Sequence, residues 1–118
     1  MFSVIFPGQG SQSVGMAKEL HSKFDLVKKY FKHADEVLDV PISKIILEGP
    51  KENLNLTENT QPAIFLVGYS IFNLIKNEFN CALSKAKFFA GHSVGEYTAL
   101  ASSGIINFED TIKLLKLR

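Results

Sequence analysis

The feature that most constrains the fold of this chain is a serine, Ser93, held in the pattern G-x-S-x-G directly after a short apolar run. This pattern is typical of a sharp turn between a buried strand and a helix, with the serine hydroxyl exposed at the end of the strand. We expect the strand at residues 87–90 and the helix from Val94 onward. Gly91 and Gly95 fit such a turn, because the helix must pass close to the strand that precedes it. The sequence thus predicts a nucleophile elbow at Ser93.

Two glycines and a serine within five residues also occur in ordinary turns, so the pattern alone is weak evidence. The strand before it and the helix after it favour the elbow. A helix that begins beside the serine points unpaired N–H groups and the positive end of its dipole at the hydroxyl, which stabilises an oxyanion there. The N–H of Val94 is therefore one predicted oxyanion donor.

A second apolar run, residues 2–6, opens the chain and ends at a proline, which predicts a strand buried on both faces. In the loop that follows, Gly8 and Gly10 flank Gln9, so the backbone can approach a ligand closely. Adjacent parallel strands would bring this loop beside Ser93, which makes the Gln9 N–H the other predicted oxyanion donor. A dinucleotide or phosphate loop is disfavoured, because the next glycine breaks G-x-G-x-x-G and no G-K-[ST] follows.

The residues between the two predicted strands have helical patterns. Apolar side chains recur at helical spacing in Asp25–Leu38. Residues 42–47 are predicted to form a short helix that ends at Gly49 and the proline after it. The polar residues 51–59 are predicted to form a loop. Residues 63–79 are apolar nearly all round, which predicts a buried central helix packed on the sheet, too short and too polar to span a membrane.

Single residues predict where three of the helices begin or end. Pro62 is expected at or near the first turn of the buried helix, where its missing N–H costs nothing. Residues 95–103 are predicted to form the helix after Ser93, with Gly104 as its carboxyl-terminal stop. Asn107 is predicted to cap a last amphipathic helix.

The 118 residues are sized for one domain, and a hydrophobic content of 46% is enough for a core. The 13 basic and 12 acidic residues nearly cancel, which argues against a nucleic-acid or membrane partner. The one cysteine, Cys81, fits a reducing compartment and is expected to be a small apolar filler. The opening residues resemble neither a signal peptide nor a membrane span, so we expect a cytoplasmic protein.

A nucleophilic serine needs a general base, which is most often a histidine. The 3 histidines of the chain, His21, His33 and His92, all precede Ser93. No metal-ligand spacing surrounds the first two, so we expect them to be solvated or capping residues. His92 is the neighbour of Ser93, and adjacent side chains in a sharp turn project in different directions. The general base is therefore not found in this sequence.

Three motifs occur together: F-P-G-Q-G-S-Q near the start, T-x-x-T-Q-P-A before the buried helix, and A-G-H-S-V-G-E-Y-T-A-L around the serine. In this order they resemble the malonyl-CoA:acyl-carrier-protein transacylases over the whole chain. The resemblance implies an α/β fold: a partial doubly wound parallel sheet with flanking helices and a serine-hydrolase-like nucleophile elbow. It also implies that residues 1–118 are the N-terminal part of the large α/β subdomain, without the ferredoxin-like subdomain, the C-terminal part and the catalytic histidine.

The resemblance implies roles for five residues. Ser93 would be the nucleophile, and the backbone amides of Gln9 and Val94 would form the oxyanion hole. His92 would line the substrate pocket rather than act as the base. Arg118 would bind the malonyl carboxylate, which a planar guanidinium can pair with bidentately. An ordinary cation at the carboxyl end of a helix is the alternative for Arg118.

The implied activity is transfer of a malonyl group from coenzyme A to the phosphopantetheine thiol of acyl carrier protein, through a malonyl-serine, in fatty-acid biosynthesis. The substrates malonyl-CoA and acyl carrier protein would be the partners, and no cofactor is expected. A patatin-like or thioesterase serine hydrolase shares the elbow, and a non-catalytic remnant fits the missing base. We expect the chain alone to be poorly active, because no histidine follows Ser93. We also expect it to self-associate, because two predicted strands with open edges cover its apolar helices poorly.

Overall fold

The structure, a computed structural model, describes residues 1–79 and 81–117 as a two-stranded parallel sheet flanked by helices. In chain order the elements are β1 (Ser3–Phe6), α1 (Lys18–Lys23), α2 (Asp25–Leu38), α3 (Ile42–Glu48), α4 (Lys51–Leu54), α5 (Thr57–Glu78), a 3-10 turn (Leu83–Lys85), β2 (Phe88–Gly91), α6 (Val94–Ser102) and α7 (Phe108–Leu117). The predicted α/β class is therefore confirmed at this level.

Both predicted strands are present, each within one residue of its expected bounds. β1 and β2 pair in parallel over their full length, with Phe6 opposite Gly91. The pairing continues one residue further, where the His92 N–H donates to the Phe6 carbonyl at 3.2 Å. Because the strands are parallel, the loop after β1 and the turn after β2 lie at the same edge of the sheet.

The expectation that β1 is buried on both faces is wrong for the described residues. Side chains alternate between the two faces of a strand. Phe6 is buried and packs against Phe72 of α5, at a ring-centroid distance of 6.0 Å. Ile5 on the other face is 77% exposed, and Phe88 of β2 is 61% exposed. The described helices therefore cover only one face of the sheet.

The helices α2, α3, α6 and α7 follow the predicted pattern. α2 has the predicted bounds and buries Val27, Phe31 and Ala34. Gly49 caps α3, and Gly104, with a φ of 89°, follows the end of α6. The predicted cap of α7 is confirmed, because the Asp110 N–H donates to Asn107 Oδ1 at 2.8 Å.

The polar residues 51–59 do not form the predicted loop. They form α4 and the first turn of α5, which begins at Thr57 and places Pro62 in its second turn rather than its first. The polar side chains here bond to the backbone: Asn59 Nδ2 donates to the Asn53 carbonyl at 2.9 Å. Thr60 Oγ1 donates to the carbonyls of Leu54 and Leu56. These bonds across the α4–α5 connection let polar residues be buried inside a helical region.

α5 is the buried central helix that the sequence predicts. Its main neighbours are the helices α2, α6 and α7, and it meets the sheet through the contact of Phe72 with Phe6. Its buried apolar residues are Ala63, Ile64, Phe65, Leu66, Phe72 and Leu74. Among the described residues, no helix combines the length and the apolar character that crossing a membrane requires.

Cys81 lies between α5 and the 3-10 turn, and it is exposed with a free thiol. The expectation that it is a buried apolar filler is wrong. The physical reason is its place in the connection between α5 and the 3-10 turn, where no described element packs over it.

Candidate functional site

Ser93 lies between β2 and α6, and its backbone has a φ of 57° and a ψ of −117°. A residue other than glycine rarely adopts a positive φ, at a cost of about 1–3 kcal/mol, and does so only where its surroundings impose it. Hydrogen bonds on both sides impose it here: the Gly95 N–H donates to the His92 carbonyl at 3.0 Å, and the Glu96 N–H donates to the Ser93 carbonyl at 3.0 Å. The result is an exposed serine in a strained strand-to-helix turn.

Gly91 and Gly95 have no room for a side chain. A Cβ on Gly91 would lie 2.0 Å from the carbonyl carbon and oxygen of Gly95, and a Cβ on Gly95 would lie 2.4 Å from the Phe6 oxygen. The first turn of α6 thus passes directly over the ends of both strands. This confirms the mechanical reason that the sequence predicted for the two glycines.

The loop after β1 lies against the serine turn, as the parallel pairing predicts. Gly8 is buried there, and a Cβ on it would lie 2.4 Å from the His92 oxygen and 2.8 Å from His92 Nδ1. The loop is held by internal hydrogen bonds: Ser11 Oγ donates to the Gly8 carbonyl at 2.8 Å, and the Gly10 N–H donates to Gln12 Oε1 at 2.8 Å. The Gly8–Gly10 segment and the Ser93 turn therefore form one continuous surface.

Each of the two segments that form this surface carries one of the predicted oxyanion donors. Val94 is the first residue of α6, so its N–H is one of the donors that a helix leaves unpaired at its start. Within residues 1–79 and 81–117, neither the Val94 N–H nor the Gln9 N–H donates to a protein acceptor. The segments that carry both donors meet at the Ser93 turn, and the oxyanion role itself stays a prediction.

The three histidines have different surroundings. His92 is exposed and lies against Gly8. The His21 ring packs on Phe31 at a centroid distance of 5.1 Å. Burial, with a smaller contribution from the nearby positive charge of Lys28, lowers the pKa of His21, and Asp35 opposes this.

His33 pairs with Glu109, at 3.0 Å between Nε2 and Oε1, and stacks on Phe108. The pair is exposed and joins α2 to α7 at the surface of the helical region. Neither His21 nor His33 is therefore part of the serine site. No cluster of three or more histidine, cysteine, aspartate or glutamate side chains that could hold a metal ion occurs in the described ranges.

Gln61 is a residue that our sequence reasoning did not select as part of the site. It lies in the second turn of α5, is only 6% exposed, and points its Nε2 at Gln9 Oε1 over 3.5 Å. Its own Oε1 is buried and has no hydrogen-bond partner among the described residues. The signal was present in the T-x-x-T-Q-P-A motif, but a polar residue before a proline was interpreted as part of a helix entrance.

Arg118, the predicted ligand of the malonyl carboxylate, lies outside the described residues. The helix before it is attached to the start of α5: Lys116 Nζ donates to Asn59 Oδ1 at 3.0 Å. Asn59 is two residues before Gln61 on the same helix. The first turns of α5 thus contact both the loop after β1 and the carboxyl end of α7.

An apolar groove of about 430 Å³ lies beside the loop after β1, and Ser93 does not line it. It runs between β1 and α5, and its wall is largely aliphatic: Ile5, Ile64, Val67, Ile71, Ile75 and Leu83. The groove includes the exposed Ile5 of β1 in its wall and is separate from the serine turn.

Comparison with known proteins identifies the family. The family described as "Acyl transferase domain" matches residues 3–118. A malonyl CoA-acyl carrier protein transacylase of Haemophilus influenzae is 41% identical over 117 residues, which are 99% of this chain and 37% of that protein. The chain therefore spans a little over a third of the length of this relative.

Solved structures agree with the sequence comparison. An acyl-carrier-protein-S-malonyltransferase of Bartonella henselae superposes with a TM-score of 0.93 at 39% identity, covering 99% of this chain and 38% of that one. A malonyl-transacylase solved in complex with a type II polyketide-synthase acyl-carrier protein superposes with a TM-score of 0.91 at 38% identity, covering 98% and 37%. The resemblance found in the three motifs is confirmed, and the chain belongs to the acyl transferase domain family.

Proposed function

We propose that this chain is the nucleophile-bearing part of an enzyme that moves a malonyl group from coenzyme A to acyl carrier protein in fatty-acid biosynthesis. Residues 1–118 would be the N-terminal part of its large α/β subdomain, with part of a doubly wound sheet and a serine-hydrolase-like nucleophile elbow. The observation that carries the proposal is the exposed, strained Ser93 at the start of α6. The names of the relatives support malonyl-CoA as the donor.

In the first half-reaction, Ser93 Oγ attacks the thioester carbonyl carbon of malonyl-CoA. The O–C bond forms, the C–S bond breaks, and coenzyme A leaves as a thiol that takes up the proton lost by the serine. The negative charge that develops on the carbonyl oxygen would be stabilised by the N–H groups of Gln9 and Val94. The positive end of the α6 dipole adds to this stabilisation.

In the second half-reaction, the phosphopantetheine thiol of acyl carrier protein attacks the malonyl-serine. The new C–S bond forms, the O–C bond breaks, and Ser93 regains its proton. Reaction through a covalent intermediate gives ping-pong kinetics, and acyl transfer of this kind requires no cofactor beyond the two substrates. The solved complex of a related malonyl-transacylase with an acyl-carrier protein supports this choice of partner.

The general base would come from residues outside this segment, which spans 37% of the Haemophilus influenzae relative. The His21 ring packs on Phe31, and His33 pairs with Glu109 between α2 and α7. His92 lies against Gly8, which suits a residue that lines the substrate pocket. Arg118 would bind the free carboxylate of the malonyl group, as a bidentate guanidinium does best. The cytoplasmic location stays a prediction.

The experiment uses a full-length acyltransferase in which this segment replaces the matching residues of the Haemophilus influenzae relative. It is incubated with malonyl-CoA and acyl carrier protein, and malonyl-acyl carrier protein and free malonate are both measured. The proposal expects transfer in the chimera, none in its Ser93→Ala variant, and very little with the 118-residue chain alone. Free malonate as the main product would instead identify a thioesterase-like hydrolase. No reaction at all would support a non-catalytic role.

A further inference from the structure

We propose that Gln61 is a positioning residue that holds Gln9 so that the Gln9 N–H faces the reacting carbonyl at Ser93. This inference rests on the proposed function, since it concerns the oxyanion hole of that reaction. It begins with the buried turn of α5 that carries Gln61. There, Asn59 and Thr60 have side chains bonded to backbone carbonyls of the α4–α5 connection. Among the described residues, Gln61 has no such backbone partner.

The carboxamide of Gln61 is buried but incompletely paired. Its only hydrogen bond within the described ranges is the 3.5 Å contact from Nε2 to Gln9 Oε1, and its Oε1 has no partner. A buried polar atom without a partner destabilises the fold. An apolar side chain would fill this site without that penalty, so a glutamine here is explained better by the residue it contacts than by packing.

Gln9 needs such an anchor because its neighbours in the chain do not supply one. It lies between Gly8 and Gly10, and Gly10 has a φ of 112° that only glycine adopts readily. The loop bonds of Gln12 and Ser11 go to Gly10 and Gly8, and neither involves an atom of Gln9. The side chain of Gln9 is exposed, and its one hydrogen bond within the described ranges is to Gln61. The pair therefore ties the Gln9 backbone to the rigid helix α5.

The length of the contact indicates how the pair acts. Hydrogen bonds of catalytic groups are often long before substrate binds and shorten in the complex. If the contact shortens to about 2.9 Å, two facing carboxamides can each donate an N–H to the oxygen of the other. This would also satisfy the unpaired Oε1 of Gln61. Binding of the thioester would thus fix the direction of the Gln9 N–H.

The test uses the chimeric full-length enzyme and single-turnover measurement of malonyl-serine formation. Gln61→Met keeps the length of the side chain and removes its hydrogen bonds, and Gln9→Met removes the partner while leaving the Gln9 backbone N–H in place. Each change is expected to lower the acylation rate about 10- to 100-fold, as expected when an oxyanion donor is misplaced rather than deleted. The affinity for malonyl-CoA should stay the same.

The double variant separates positioning from a merely structural role. If the two glutamines act as one unit, Gln61→Met combined with Gln9→Met is no slower than the slower single variant. Ser70→Ala is the matched control, because Ser70 Oγ is another buried polar atom on α5 without a partner in the part of the chain that the structure describes. This change should leave the acylation rate unchanged. Gln9→Met alters only an exposed loop side chain, so it still tests the pair if Gln61→Met fails to fold.

The outcomes are distinguishable. Losses that multiply in the double variant, or folded single variants as fast as the unmodified chimera, would overturn the role of Gln61 while leaving the proposed function intact. An unmodified chimera that forms no malonyl-serine would overturn the proposed function, and the inference with it.

Discussion

The helices α2, α5 and α7 bury their apolar faces against one another, whereas β1 and β2 leave one face open. In the helical region the rings of Tyr30, Phe65, Tyr69 and Phe108 pack at centroid distances of 5.1 to 5.8 Å. In the sheet region Ile5 is 77% exposed, and it lines the aliphatic groove beside α5.

This difference separates the source of stability from the place of function. A large part of the apolar burial is between helices of this segment. The strained Ser93 is held on the sheet region by close backbone contacts at two glycines. The predictions below therefore ask whether stability follows the helical region and activity follows the sheet region.

The largest effect on stability is expected from the helical region. Phe65→Ala removes a fully buried ring and should lower the free energy of unfolding by about 3–5 kcal/mol. Phe88→Ala removes a ring that is 61% exposed and should change it by less than about 0.5 kcal/mol. Urea-induced unfolding of the chain at low concentration measures both. If both variants lost the same free energy of unfolding, the helical region and the sheet region would contribute equally to stability, contrary to this account.

The sequence predicted the parts of the fold that depend on local patterns. The positions of β1, α2 and the Ser93 turn follow from apolar periodicity and from glycines beside a serine. Residues 51–59 and the true start of α5 were missed, because Asn59 and Thr60 are stabilised by hydrogen bonds to carbonyls of a preceding turn. Propensity contains no information about such bonds.

The site, like the fold, was predicted only where local sequence patterns determine it. Parallel pairing of two strands was enough to bring the loop of Gln9 to the Ser93 turn. The contact of Gln61 with Gln9 joins residues 52 positions apart, and no periodicity indicates it. The open face of β1 was also missed. An apolar run indicates that a strand can be buried, but it does not indicate which element covers the strand.

A substitution at one glycine should disrupt the serine turn. Gly91→Ala places a Cβ 2.0 Å from the Gly95 carbonyl, so we expect a loss of about 3 kcal/mol and no acylation of the chimera. Gly68→Ala is the matched change in α5, where the nearest atom is the Thr98 methyl at 3.1 Å. It should change stability by about 1 kcal/mol or less, because the gain in helix propensity offsets the close contact. Thermal unfolding and single-turnover acylation measure both; an active Gly91→Ala chimera would contradict the assigned packing.

The open sheet face should cause self-association of the 118-residue chain. Analytical ultracentrifugation is expected to show species larger than a monomer, and Ile5→Lys should shift the population toward monomer by placing a charge on the exposed face. Leu114→Lys, a similar change at a partly exposed position of α7, is the control and should have little effect. A strictly monomeric chain with a sharp thermal transition would count against the role of the open face.

The smallest expected effect is on pH dependence. Burial lowers the pKa of His21 in the folded chain, so the unfolded chain binds more protons between the lowered value and the ordinary value of 6.5. The free energy of unfolding should therefore fall as the pH drops through 6.5, and the fall should stop below the folded pKa. Comparing His21→Gln with the unmodified chain isolates this contribution. If His21→Gln and the unmodified chain showed the same pH dependence of the free energy of unfolding, His21 would not be the cause of that dependence.

The most direct test of the central claim is to find which residue carries the malonyl group. The chimera is mixed with malonyl-CoA, quenched before acyl carrier protein is added, and digested for peptide mass spectrometry. Our account predicts one malonyl group, on Ser93, that disappears when acyl carrier protein is added and is never formed by Ser93→Ala. A malonyl group on another residue, or transfer that persists in Ser93→Ala, would contradict it.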